Sequence, residues 1–215
     1  MKYALAFSGI SQGPVKRDWR RDYPNIKTNI IDQYNPDVYF CTYPSETTNE
    51  LIDTYKPKTY NIIPFQGSDT RTTYKKTLEM LLEVDFDLAI TTRFDILFAE
   101  QYPVREYKFN PDKINLMFKE QGWWNNHQYT CDPQCFSIFP KKFLPAMIEA
   151  TQQLYDYPHR QGCMDLHPFY SYIAPHIGED NLNFIFDEET LSHDNKYFLF
   201  DRWGLWPNNP QWLCD

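Results

Sequence analysis

The sequence is poor in the features that mark several large classes of protein. It contains no N-x-Ser/Thr sequon and no apolar run near the roughly 18 residues that a membrane-spanning helix needs. Its opening, MKYALAFSGI, is too short for a signal peptide, so the expected setting is cytoplasmic, with no membrane span. There are only five cysteines: Cys41, Cys131, Cys135, Cys163 and Cys214. An odd, widely spaced set does not make a complete disulfide framework and suits a reducing compartment. Cys131 and Cys135 lack a second Cys/His pair at ligand spacing, and His127 stands on the wrong side of them, which argues against structural zinc. Positive charge is also in deficit, with 21 Lys and Arg against 29 Asp and Glu and a net charge of −8. Nucleic-acid backbones are held by clustered Lys and Arg, so nucleic acid is not an expected partner. The short basic group Lys16, Arg17, Arg20 and Arg21 is broken by Asp18 and Asp22, and reads as a solvated loop or at most a local anion site.

Aromatic residues, by contrast, are abundant: 16 Tyr, 16 Phe and 6 Trp make up 18% of the 215 residues. Rings with a polar edge suit sugars and bases, because they combine a flat apolar face with a hydrogen-bonding tip. A large aromatic core is the competing use for any one of them. The length supports one sizeable core and does not demand a second domain. The expected division is into halves over 1–95 and 96–215, with no linker between them.

Periodicity lays out the first half. Apolar runs at 3–7, 38–42, 59–63 and 88–92 read as buried strands, and helical patterns fall between them. The first helix is expected over about 25–33, where Ile26, Ile30 and Ile31 share a face and Asn35-Pro36 ends it. A second starts after Ser45 or Thr47 and stops at Pro57. A third starts near Asp69 or Thr70 and turns Leu78, Leu81 and Leu82 inward. Strand-helix alternation with continuous apolar strands predicts an α/β fold, with a central, mostly parallel β-sheet of about six strands covered by helices on both faces. Beyond Asp95, strands are expected near 114–118 and 135–139, a helix over about 141–155, and two short apolar runs at 184–186 and 197–200.

In open α/β sheets ligands bind outside the carboxyl ends of the strands. The first strand delivers Ser8, Gly9 and Ile10 there, with Gly9 permitting close backbone approach to a nucleotide. Two acidic clusters flank the fourth strand. Asp85-Phe86-Asp87 has the literal D-x-D pattern but precedes the strand. Arg93-Phe94-Asp95 keeps only the last acid but follows it. A six-residue strand separates its ends by roughly 20 Å, so only Asp95 reaches the binding edge. An acid there suits Mg²⁺ or Mn²⁺ against a diphosphate, and Arg93 beside it suits the charge that develops on a leaving phosphate. An Arg93–Asp95 loop ion pair is the plain alternative. Arg71 and Lys75, four apart on the third helix, are candidates for the same phosphates or for a solvated helix face.

A strand ending in DLAITTRFD after about ninety residues of βα repeats resembles the GT-A class of nucleotide-sugar glycosyltransferases, a Rossmann-like fold. TCDPQCFSIFPKKF and CMDLHPFYSYI are similar to that class's acceptor-side pieces. In length and opening the chain is similar to the glycosyltransferase domains by which chlorella viruses build capsid glycans. Arg93, standing where the class carries the first acid of D-x-D, is the main departure. The resemblance implies a nucleotide-sugar donor, with UDP the first base to try, and a glycan or glycoprotein acceptor. It implies Mn²⁺ or Mg²⁺ on Asp95 with His193 completing the site, and Ser8 to Ile10 on the nucleotide. Asp132 or Asp165 would lie near the sugar or acceptor. Asp165 would be the base if the reaction inverts the anomeric carbon; in a retaining reaction either acid would orient the acceptor or stabilise the transition state. Asp165 as a helix cap is the competing reading. Two other functions fit parts of the sequence: a sugar nucleotidyltransferase, from the glycine-bearing LAFSGISQG, and a carbohydrate-binding module, from Trp123, Trp124, Trp203, Trp206 and Trp212.

Overall fold

The apolar runs become strands that divide their side chains between two faces. In β1 (Tyr3–Ser8), Leu5 and Phe7 enter one core while Ala4 and Ala6 enter the other. β2 (Asp37–Thr42) does the same with Val38 and Phe40 against Tyr39. A sheet apolar on both faces needs helices on both, which is what the computed structural model shows for the residues it describes, 1–12, 18–65, 70–119, 133–156, 169–187 and 196–200.

Seven strands form the main sheet. β3 (Thr59–Ile62), β2, β1, β4 (Leu88–Arg93), β7 (Phe136–Pro140), β6 (Ile114–Leu116) and β8 (Leu182–Phe184) lie side by side in that order. β1 pairs in parallel with both β2 and β4, β2 with β3, and β6 with β8. β7 alone runs against its neighbours β4 and β6. A second, two-stranded sheet pairs β5 (Ile96–Phe98) with β9 (Phe198–Phe200). This is the mostly parallel α/β sheet expected, with one more strand than the six counted from periodicity.

Helix α1 (Trp19–Ile26) begins six residues before its expected start. Asp18 caps it by accepting from the Arg20 backbone N–H at 3.1 Å, and Trp19 is drawn into the core. It continues through a π-helical turn (Lys27–Ile31) into a last α-turn (Asp32–Tyr34), which Asn35 ends in the left-handed conformation. α1 and α2 (Thr48–Tyr55) supply the core on one face. α3 (Thr70–Met80), α4 (Leu144–Asp156) and α5 (Phe169–Ile177) supply the other. Leu78 and Leu81 are fully buried as expected, but Leu82 is 45% exposed, because α3 ends at Met80 and the chain turns away. Among the described residues most rings are core. Trp19, Phe7, Phe40, Phe94 and Tyr55 pack together with centroids 4.8 to 5.9 Å apart, and burying each such ring is worth about 1.5–3 kcal/mol. The five tryptophans that suggested a carbohydrate-binding module lie outside the described residues.

Candidate functional site

Strand direction decides which residues can meet. Because β6 and β8 run parallel to β1 and β4, one edge of the sheet collects the ends of six strands and the start of β7. The order also reverses there. From β1 the chain builds outward through β2 and β3, then returns to lay β4 on the other side of β1. Such a switch point opens a crevice outside the carboxyl ends of two neighbouring strands, the place where open α/β sheets bind ligands. Ser8 and Arg93 are register partners across it.

The acidic pattern before β4 sits at the opposite edge, as the strand length required. The Lys2 backbone N–H donates to Asp87 at 2.6 Å, and the Lys2 ammonium lies 3.5 Å from Asp85. At the carboxyl edge, Phe94 stacks on Phe7 with centroids 4.8 Å apart and anchors the backbone from the α1 side. Arg93 and Asp95 are two residues apart and close on each other. Arg93 Nε donates to Asp95 Oδ1 at 2.7 Å, and a terminal guanidinium nitrogen donates to Oδ2 at 3.0 Å. Their side chains are only 5% and 3% exposed. This is a buried, bidentate, charge-assisted pair.

Gly9 follows with φ +98°, a conformation that side chains rarely adopt, and no described residue lies within 4 Å of where its Cβ would stand. Among the described residues, space is therefore open above the end of β1. Ile10 is half-buried beside it. Polar side chains that periodicity did not single out fix this loop. Gln134, in the turn just before β7, donates to Ser8 Oγ at 2.9 Å, and Thr77 of α3 donates to the Phe7 carbonyl at 3.0 Å. Thr42 donates to Ser11 Oγ at 3.2 Å. Thr47 donates to Gln12 at 2.8 Å while accepting from the Trp19 indole at 3.1 Å. The direction of β7 is what brings Gln134 to this edge. An antiparallel insertion between β4 and β6 was the missing signal.

Arg71 and Lys75 find partners in the helix layer. Arg71 is buried and donates to the Leu154 carbonyl at 3.0 Å, near the end of α4, where free carbonyls favour a cation. Lys75 bonds Gln152 of α4 and lies 3.4 Å from Glu79. These partners are on α4 and α3 rather than at Ser8 or Asp95. Asp132, Asp165 and His193 lie outside the described residues.

The donor set at Asp95 does not fit a divalent cation among the described residues. Both carboxylate oxygens already accept from one guanidinium, and no cluster of three His, Cys, Asp or Glu forms elsewhere among those residues. A dication on Asp95 would sit on the order of 4 Å from that guanidinium. At an effective dielectric of about 20 their repulsion is roughly 8 kcal/mol, twice the value for unit charges. Magnesium also keeps several waters when bound, and a side chain 3% exposed leaves them little room.

No protein-family profile and no curated protein sequence matches the chain. Solved structures do match in fold. A nucleoside-diphosphate-sugar pyrophosphorylase from Vibrio cholerae RC9 superposes with a TM-score of 0.55 at 13% identity, over 94% of this chain and 98% of that one. The 4-diphosphocytidyl-2C-methyl-D-erythritol synthase of Anaerococcus prevotii DSM 20548 gives 0.51 at 12% identity, over 87% and 89%. A glycosyltransferase involved in glycosylation of the major capsid of PBCV-1 gives 0.50 at 7% identity, over 88% and 82%. The chain therefore has the GT-A-like α/β fold found in nucleotidyltransferases and glycosyltransferases.

Proposed function

We propose that the chain is a glycosyltransferase that takes a sugar from a nucleoside-diphosphate sugar, with UDP the first base to try, and passes it to a glycan or glycoprotein acceptor in the cytoplasm. One observation carries this reading: the β1/β4 switch point, where Ser8 and the Gly9 turn end one strand and the buried Arg93–Asp95 pair ends its register partner, at the edge where open α/β sheets bind ligands. A glycine turn clear of the other described residues suits a diphosphate, which needs backbone N–H groups at close range. A groove of about 660 Å³, lined by Lys119, Tyr170, Ser171, Pro175 and Glu179, starts just past the end of β6, and here we place the acceptor. Asp165 is the residue we assign as acceptor base if the reaction inverts; Asp132 and Asp165 are the candidates to orient the acceptor if it retains.

Sugar nucleotidyl transfer is the second reading, favoured by the glycine turn directly after β1 and by the likeness in fold to the Vibrio protein. Two assays separate them. Titration calorimetry with a panel of nucleoside diphosphates and nucleotide-sugars should show selective binding, and incubation of donor with glycan acceptors should release a nucleoside diphosphate. Consumption of a nucleoside triphosphate with a sugar 1-phosphate, releasing pyrophosphate, would select nucleotidyl transfer instead. Binding of glycans with no nucleotide bound would overturn both.

A further inference from the structure

An R-x-D sequence at the end of β4 differs in charge from the D-x-D pattern it resembles. Two buried carboxylates carry −2 and require an external dication to be neutral, whereas Arg93 and Asp95 sum to zero on their own. Among the described residues the structure shows that neutralisation made: the guanidinium fork closes on both carboxylate oxygens at 2.7 and 3.0 Å, with both side chains almost fully buried. The two residues are joined through Phe94, whose ring is locked against Phe7, Phe40 and Tyr55. The fork is thus held by the backbone as well as by charge. Arginine does not lose its proton in proteins, so no change of pH in the working range frees Asp95 for a metal.

We infer that nucleotide binding at this edge is independent of divalent cations, because the Arg93 guanidinium permanently holds the place a metal would take on Asp95. This inference rests on the nucleotide site proposed above. Arg93 acts as a positioning residue: it neutralises Asp95 and fixes the end of β4 beside Ser8, and the role asks no metal-bound step of the chain.

The test uses the full chain. Nucleoside diphosphates are titrated calorimetrically in chelator, in Mg²⁺ and in Mn²⁺, while Mn²⁺ bound to the protein is counted by electron paramagnetic resonance. The expected result is a nucleotide whose affinity in chelator lies within about twofold of that in either metal, with no stoichiometric Mn²⁺ on the protein. An affinity that falls tenfold or more in chelator, or stoichiometric Mn²⁺ that disappears in Asp95→Asn, would overturn the inference and leave the nucleotide site standing. If no nucleotide binds under any condition, the nucleotide site itself falls and this inference with it. Arg93→Asp gives a second readout: where the variant folds, its melting temperature should rise with Mn²⁺ while that of the parent should not, and equal responses would count against Arg93 as the metal's replacement.

Discussion

Removing the guanidinium from Arg93 while keeping the bulk of the side chain, as in Arg93→Met, takes the bidentate partner from an Asp95 carboxylate that is 3% exposed. Two charge-assisted hydrogen bonds, at 2.7 and 3.0 Å, go with it. Breaking a buried pair from one side costs about 3–5 kcal/mol, because the desolvation of the remaining charge loses the attraction of its bidentate partner. Asp95→Leu should cost about as much for the same reason. Replacing both charges with apolar side chains of similar volume removes the desolvation along with the attraction and is often close to neutral, so the Arg93→Met/Asp95→Leu double variant should be more stable than either single one. Urea unfolding followed by circular dichroism measures all four corners of the cycle. For a chain of 215 residues a loss of about 3–5 kcal/mol corresponds to a fall of roughly 6–20 °C in Tm. Single variants that lose less than about 1 kcal/mol would show that the pair is solvated in solution. A double variant equal to the sum of the singles would show that the two charges do not depend on each other. Either result refutes the reasoning.

Three further outcomes are expected. The Tyr55 hydroxyl is buried with no hydrogen-bond partner among the described residues, and its ring packs on Phe7, Trp19, Tyr23 and Phe94. Tyr55→Phe should therefore leave stability unchanged or raise it by up to about 1 kcal/mol in urea unfolding, and a loss above about 1.5 kcal/mol would reveal a partner for the hydroxyl. Burial pushes the Cys41 thiol up to about 12. At pH 8 the thiolate is then about one part in ten thousand, and alkylation read by peptide mass spectrometry should spare Cys41 in the native chain and label it only in denaturant. Asn115 accepts from the Asn110 backbone N–H and the Asn183 amide and donates to the carbonyls of Asn110, Lys113 and Ile138, all within 2.6 to 3.0 Å. Asn115→Ala should cost about 2–4 kcal/mol, and Asn115→Asp should not restore it, because a carboxylate cannot donate to those carbonyls.

Much of the fold was written in local pattern. Continuous apolar runs such as Leu5 to Phe7 and Val38 to Phe40 specify strands buried on both faces, and Pro36 and Pro57 end the helices before β2 and β3 by removing an N–H. The distance along β4 was enough to separate Asp87 from Asp95, because strand rise per residue is nearly constant. Local pattern misplaced the start of α1, since the apolar face of Ile26, Ile30 and Ile31 begins only at Ile26 while the Asp18 cap and the burial of Trp19 favour an earlier start. It also turned Leu82 inward, where the chain in fact leaves the helix.

What the sequence determined by itself is the four strands of the first half, their two-faced burial and the edge on which Asp95 must fall, all consequences of rise and period that act over a few residues. Only the tertiary structure decided the company each side chain keeps. The reversal of β7 carries Gln134 to Ser8, the end of α4 takes Arg71, and the turn after β4 closes Arg93 on Asp95. Those partners are set by strand order and helix docking between segments as far as 126 residues apart, and by a turn whose geometry spacing alone does not encode.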